Sequence, residues 1–158
     1  MSEDTTTVSD KSGKREFDVV VFGATGFVGE LTARYLATHA PVGTKIALAG
    51  RSEAKLVALR ERSGGAATDW PVIVADADSP ASLDAMVSRT RVVCTTVGPY
   101  LKYGEALVVA AATAGTDYVD LTGEVPFVRF SIDKAHDLAA GSGRSEERRV
   151  GKECRSRW

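Results

Sequence analysis

The amino-acid sequence predicts an α/β fold, a doubly wound parallel sheet of about five strands. Three observations carry that reading. Short, nearly continuous runs rich in Val and Ile recur along the chain, as strands buried on both faces do. Segments with helical punctuation separate them. A glycine-spaced turn in "VVVFGATGFVGELTARYL" (Val19–Leu36) joins the first run to the first helix. This alternation predicts a sheet with helices on both faces.

The elements follow in order. Met1 to Arg15 is rich in Ser, Thr, Lys and Asp and reads as a disordered tail. Strands are expected at Phe17–Phe22, Lys45–Ala49, Val72–Ala75, Val92–Val97 and Tyr118–Leu121. In the first helix Val28, Leu31, Tyr35 and Leu36 share one face, and Pro41 follows its end. Ser52 precedes a second helix that buries Leu56 and Leu59 and is stopped by Gly64-Gly65. Ser79-Pro80 pairs an N-cap with a proline at the first helical position, ahead of an apolar stripe of Leu83, Met86 and Val87. Gly104 to Ala114 is a further helix with Gly115 as its C-terminal cap. Val125 to Ala140 is the last. Residues 16–140 thus form one nucleotide-binding unit, with no internal repeat. Residues 141–158 break the pattern. They have no apolar period and six basic against three acidic residues. They read either as a basic disordered tail or as a non-native run left by assembly or read-through, and are set aside from the fold.

Bulk properties narrow the function. The chain has 158 residues, one domain's worth, and a net charge of -1, so nothing draws it to nucleic acid or anionic lipid. Its longest apolar run, Ala106–Ala112, is too short for a transmembrane segment. The first sixteen residues lack a secretory h-region. The two cysteines, Cys94 and Cys154, make no disulfide framework, and a reducing cytoplasmic setting is expected. No Cys/His cluster has metal-ligand spacing, so no metal is expected.

The glycine turn carries the chemistry. Gly23 suits backbone angles closed to other residues. Gly26 lets a pyrophosphate approach the main chain, and Gly29 lets helix and strand pack closely. The helix N-terminus turns free N–H groups towards the anion, and Thr25 adds a hydroxyl. The spacing is G-x-x-G-x-x-G, and its place between a strand and a helix gives it weight. The reading is a Rossmann-type dinucleotide site. At the end of the second strand an acid would bond the ribose of NAD. Here Arg51 and Ser52 stand in "LAGRSEAK". A cation and a hydroxyl suit a 2'-phosphate, which favours NADP over NAD. A charge-assisted hydrogen bond worth about 1.5–3 kcal/mol sets such a preference. Stacking of Arg51 on adenine, or its pairing with Glu53, is the alternative. Asp76 and Ala77 in "VADAD" are placed for the adenine edge, or for loop solvation and capping. Past the fourth strand, Val97, Gly98 and Pro99 bring backbone towards the nicotinamide ribose. Tyr100, Lys102 and Tyr103 are the side chains that could face the cleft.

Taken together, the glycine turn, "AGRS", "VGPYLKYGEALVVAAATAGTDYVDLTGE" and "VPFVRFSIDKAHDLAA" resemble the N-terminal half of the saccharopine dehydrogenase-like oxidoreductases, with the trans-acting enoyl reductases as the nearest subgroup. The resemblance covers Phe17 to Ala140. It implies NADPH-dependent reduction of an α,β-unsaturated polyketide or lipid thioester, carried on an acyl carrier beside a polyketide synthase partner. It implies cofactor contacts from Gly23, Thr25, Gly26, Phe27, Val28, Arg51, Ser52, Val97, Gly98 and Pro99. Asp120 and Glu124 match family positions without an assigned role, and capping or loop hydrogen bonding accounts for them as well.

Family members continue into a sixth strand and a substrate domain. The foreign-looking tail begins where that strand is expected, so the chain reads as a truncated cofactor half, inactive alone. Two other functions stay open: a non-catalytic NADP-binding regulatory module, and a saccharopine-type enzyme acting on amino-acid adducts. Short-chain dehydrogenases need a Tyr-x-x-x-Lys pair. Four residues after Tyr35, Tyr100, Tyr103 and Tyr118 stand His39, Gly104, Leu107 and Thr122. His39 reads as a helix-end cap, His136 as a solvated side chain and Cys94 as a small core hydrophobe.

Overall fold

A computed structural model describes residues 15–142. The expectations for Met1–Lys14 and for residues 143–158, Cys154 and Trp158 included, lie outside the described residues. Five parallel strands form one sheet in the order β3-β2-β1-β4-β5. They are β1 (Phe17–Phe22), β2 (Ile46–Gly50), β3 (Val72–Val74), β4 (Thr90–Thr95) and β5 (Asp117–Val119). The helices are α1 (Phe27–His39), α2 (Glu53–Ser63), α3 (Pro80–Val87), α4 (Tyr100–Tyr103), α5 (Glu105–Ala114) and α6 (Val125–Gly141). A 3-10 turn over Gly65–Asp69 follows α2. The order reverses between β1 and β4, and at that switch a doubly wound sheet opens its ligand crevice.

The sheet separates two cores. On one face α3, α5 and α6 bury Leu83, Met86, Leu107, Phe127 and Ala135 against Val20, Val93 and Tyr118. On the other α1 and α2 bury Ala33, Leu56 and Leu59 against Val21, Leu48 and Ile46. Register fixes which residues share a face. Val21 lies opposite Leu48 and Cys94, and Cys94 opposite Val119. Each fully buried Leu contributes roughly 1.5–3 kcal/mol, so Leu56 and Leu59 hold α2 down although most of that helix is polar.

Several boundaries and faces differ from the sequence reading. The fourth and fifth strands begin earlier than Val92 and Tyr118 and end at Thr95 and Val119. β5 stops because Asp120 turns the chain, its Oδ1 accepting from Thr122 N–H at 3.1 Å. The face of α1 carrying Val28, Leu31 and Tyr35 is exposed; the helix packs through Gly29 and Ala33, with Leu36, Ala37 and Ala40 beside them. Small residues win because the helix lies against the glycine turn itself. Ser79 occupies the α3 cap position without a side-chain bond. Ser82 Oγ instead accepts from Asp76 N–H at 3.0 Å. Gly115 caps α5 in the left-handed conformation, φ 67°. Both expected tails reach into the described fold: Arg15 donates to the carbonyls of Val87, Ser88 and Ala114, and Gly141 ends α6.

Candidate dinucleotide site

A cleft of about 290 Å³ lies over the C-terminal edge of the sheet. The turn between β1 and α1 forms its floor. Gly23 takes φ +81°, and a Cβ there would stand 2.7 Å from Val97 Cγ2. Its N–H donates to Ala49 O at 3.0 Å. The Thr96 hydroxyl bridges the carbonyls of Phe22 and Gly23, at 3.3 and 3.2 Å, and so ties β4 to the turn. Gly29 is the tightest position: a Cβ would meet Gly23 O at 2.2 Å and Ala24 Cα at 2.8 Å. Gly26 is different. Its angles, φ -78° and ψ 166°, suit any residue, and a Cβ would come no nearer to the protein than 3.3 Å. A side chain there would need Gly23 O to give by only a few tenths of an ångström, far less than at Gly29.

Gly26 is also the N-cap of α1 and supplies no side-chain cap. The first-turn N–H groups have no partner within the helix and are left to an external acceptor. At α2 the Ser52 hydroxyl accepts from Lys55 N–H at 3.4 Å.

Eight of the twelve predicted residues line the cleft: Gly23, Thr25, Gly26, Arg51, Asp76, Ala77, Val97 and Gly98. Phe27, Val28, Ser52 and Pro99 do not. The Phe27 side chain is 82% exposed on the outside of α1. Val28 points along the exposed flank of the same helix, Ser52 is engaged in its cap, and Pro99 is the exposed N-cap of α4. The sequence reading did not assign Phe22, Gly50, Asp78 or Thr96, which also line the wall. Gly50 and Asp78 directly flank residues that it did assign. Thr96 could have been found from its place at the end of a strand beside the glycine turn.

Arg51 is exposed on the cleft wall and has no acidic partner within 4.0 Å among the described residues. Its alternative partner, Glu53, does not reach it. Every other described arginine is engaged: Arg34 and Arg62 with Glu30, Arg89 with Glu16, Arg91 with Asp18, Arg129 with Asp133, and Arg15 and Arg60 with main-chain carbonyls. A lone guanidinium on the wall of a cleft is a ready anion receptor.

The remaining candidates divide sharply. Tyr100 is buried; its hydroxyl donates to Thr95 O at 3.3 Å, and burial raises its pKa. Tyr103 does face the cleft, with Lys102 Nζ 4.8 Å from its ring centroid. The neighbouring Tyr103 raises the Lys102 pKa, and Lys102 itself lies off the wall. Glu124 is structural: its carboxylate accepts from Tyr100 N–H at 2.7 Å and Leu101 N–H at 3.0 Å, capping α4. His39 Nδ1 donates to Tyr35 O at 3.0 Å at the end of α1. Cys94 is half-buried rather than a core residue, and burial raises its thiol pKa. No group of three or more metal-binding side chains occurs among the described residues, and none of their helices is long and apolar enough to cross a membrane.

A strand-turn-helix with an uncapped N-terminus, at the switch point of a parallel sheet, defines a nucleotide-binding Rossmann domain. The chain belongs to the saccharopine dehydrogenase NADP binding domain family, whose model matches residues 19–155. Its cofactor is accordingly NADP. Among curated proteins it is 56% identical over 130 residues to a trans-acting enoyl reductase of Mycobacterium tuberculosis, covering 82% of this chain and 31% of that protein. It is 54% identical over 132 residues to the trans-acting enoyl reductase of Mycobacterium ulcerans, covering 84% and 31%. The chain therefore spans under a third of those relatives' length. Among solved structures, saccharopine dehydrogenase (L-Glu forming) of Saccharomyces cerevisiae superposes with a TM-score of 0.60 at 22% identity, covering 77% of this chain and 28% of that one. The triphenylmethane reductase of a Citrobacter species, complexed with NADP(H), gives 0.57 at 19% identity, covering 80% and 46%. Both likenesses concern the fold.

Proposed function

We propose that this chain is the NADP(H)-holding part of a trans-acting enoyl reductase that works in the cytoplasm on α,β-unsaturated thioesters of lipid biosynthesis. The observation that carries the cofactor side is Arg51, the one described arginine without a partner, on the wall of the glycine-floored cleft. The names that the relatives carry, trans-acting enoyl reductase, support the reaction.

Each part of the cleft then has a task. The main chain of Gly23–Gly26 and the first-turn N–H groups of Phe27 and Val28 hold the pyrophosphate. Arg51 holds the 2'-phosphate. Asp76 and Ala77 border the adenine, and Val97 and Gly98 border the nicotinamide ribose. Ser52 acts at one remove, by holding α2 in place behind Arg51. The chemistry supplied by the bound reduced dinucleotide is a hydride for the β-carbon of the unsaturated thioester. Glu124 and Tyr100 position the α4 turn beside Val97 and Gly98 and carry no proton in the reaction. The acyl-carrier-bound substrate, the polyketide synthase partner and the catalytic acid belong to the remaining length of the relatives. Hence the 158-residue chain binds NADPH and shows no reductase turnover alone.

Calorimetric titration of NADPH and NADH against the chain tests this. NADPH binds the tighter, and Arg51→Ala weakens NADPH about tenfold to a hundredfold while leaving NADH unchanged. Equal affinities for the two nucleotides, or an Arg51→Ala variant that binds NADPH normally, overturn the assignment.

A further inference from the structure

The short α4 helix is built as a rigid bracket. Tyr100 roots it in the core, with its ring centroid 5.8 Å from that of Phe127. The Glu124 carboxylate holds the N–H groups of Tyr100 and Leu101. Gly104 lets the turn press against α6, since a Cβ there would stand 2.8 Å from Phe127 Cε2 and 2.7 Å from Tyr100 O. Tyr103 N–H donates to Pro99 O at 3.0 Å and closes the turn. A side chain presented from a bracket pinned at this many points has little freedom left to lose when it meets a ligand.

The side chain presented is Tyr103, which lines the cleft. Lys102 Nζ lies 4.8 Å from its ring centroid, within cation–π range. Lys102 forms no part of the cleft wall. The ammonium therefore covers the side of the ring turned out of the cleft, and the other face of this half-buried ring is turned inwards. Phe22 also lines the wall but is 2% exposed. Among the described residues, Tyr103 is thus the one aromatic face that the cleft offers to a ligand.

Its neighbours show which end of the cleft it serves. The Lys102 ammonium is stabilised first by Tyr103 and further by the Asp78 carboxylate. Asp78 follows β3 and lines the cleft together with Asp76 and Ala77. α4 starts beside Gly98, yet its last residues reach towards the loop that leaves β3. Arg51, just past the end of β2, belongs to the same half of the sheet, since β2 and β3 are neighbours. A flat, polarisable base is the class of ligand that an open aromatic face takes.

We propose that Tyr103 is a cofactor-binding residue whose inward face stacks on the adenine, at the end of the cleft bordered by Asp76, Ala77 and Arg51. The inference rests on the dinucleotide reading above. It assigns Tyr103 to recognition of the base and gives it no part in proton transfer at the nicotinamide.

Titration of NADPH, NADH and reduced nicotinamide mononucleotide, which has no adenine, tests this on the 158-residue chain. Tyr103→Ala weakens NADPH and NADH alike, by roughly fivefold to a hundredfold, the equivalent of the about 1–3 kcal/mol that stacking of a base on an aromatic ring contributes. Tyr103→Phe keeps the ring and binds both dinucleotides as the original does. Tyr103→Leu, apolar but without a π face, falls between the two and carries the reading if the alanine variant does not fold. The mononucleotide, followed by NMR titration, binds every folded variant equally. A phenylalanine variant as weak as the alanine one transfers the role to the hydroxyl and overturns the proposal. A loss that extends to the mononucleotide overturns it too, because the cleft as a whole has then been disturbed. Arg51-dependent NADPH binding that is indifferent to residue 103 overturns the adenine stack alone. An original chain that binds neither dinucleotide overturns the dinucleotide reading beneath it.

Discussion

The two strand-helix turns at the head of the sheet are built on opposite principles. After β1 the chain turns through Gly23 and Gly26, and α1 begins without a side-chain cap. After β2 it turns through Arg51 and Ser52, and α2 begins with its own serine cap. The first turn has given up its local hydrogen-bonding partner, and its backbone is open to the cleft. The second is closed on itself and presents a charged side chain instead. In the function proposed above, the first turn holds what all dinucleotides share, the pyrophosphate, through main chain, and the second holds the 2'-phosphate that distinguishes NADP, through a guanidinium. Because α3, α5 and α6 also begin without a side-chain cap, what sets the start of α1 apart is the glycine turn beneath it and the cleft it opens to.

The comparison breaks most sharply at Gly29. The α1 helix can begin where it does only because residue 29 has no side chain, since a Cβ would lie 2.2 Å from Gly23 O. That neighbour is backbone and cannot move aside as a side chain could. Gly29→Ala is expected to cost at least about 3 kcal/mol, roughly 6–12 °C in Tm. Thermal unfolding followed by circular dichroism reads it, and NADPH binding falls with it because the floor of the cleft is distorted.

Gly26→Ala separates folding from binding. Here the added methyl meets only Gly23 O, at 3.3 Å, and the backbone is already in an extended conformation. Tm should change by less than the Gly29 variant's shift by several-fold. NADPH affinity should nevertheless drop more than about tenfold, because the methyl occupies the approach of the diphosphate. A Gly26→Ala chain that binds NADPH as well as the original would show that the floor of the cleft is not the pyrophosphate seat.

How far these features were legible in the sequence depends on whether each is local. The five strands were readable because buried parallel strands are continuous apolar runs, and β1 was placed to the residue at Phe17–Phe22. The turn after β1 was readable because glycine spacing maps directly onto backbone geometry. Arg51 could be placed because its position is set by the end of one strand. The buried face of α1 was not readable. Val28, Leu31 and Tyr35 form the more hydrophobic stripe, yet the helix packs through Gly29 and Ala33, since its distance from β1 is set by the glycine turn. The large residues remain outside, exposed to solvent. Glu124 was ambiguous for a related reason: its bonds to Tyr100 and Leu101 N–H span 24 and 23 residues, a distance no local pattern encodes.

The smallest expected effect sharpens the other half of the comparison. Family resemblance makes Ser52 a cofactor contact, whereas its geometry makes it a cap. The bond from Lys55 N–H to Ser52 Oγ is 3.4 Å, at the long end for a hydrogen bond. Ser52→Ala is therefore expected to cost no more than about 1 kcal/mol of stability, about 2–4 °C in Tm. If Ser52 only caps α2, the loss appears equally with and without saturating NADPH, and the NADPH dissociation constant is unchanged. If the hydroxyl also met the 2'-phosphate, the variant would lose NADPH affinity without losing NADH affinity, in the manner of Arg51→Ala but to a lesser degree. Measuring both nucleotides on both variants distinguishes a residue that binds from one that holds the binding residue in place.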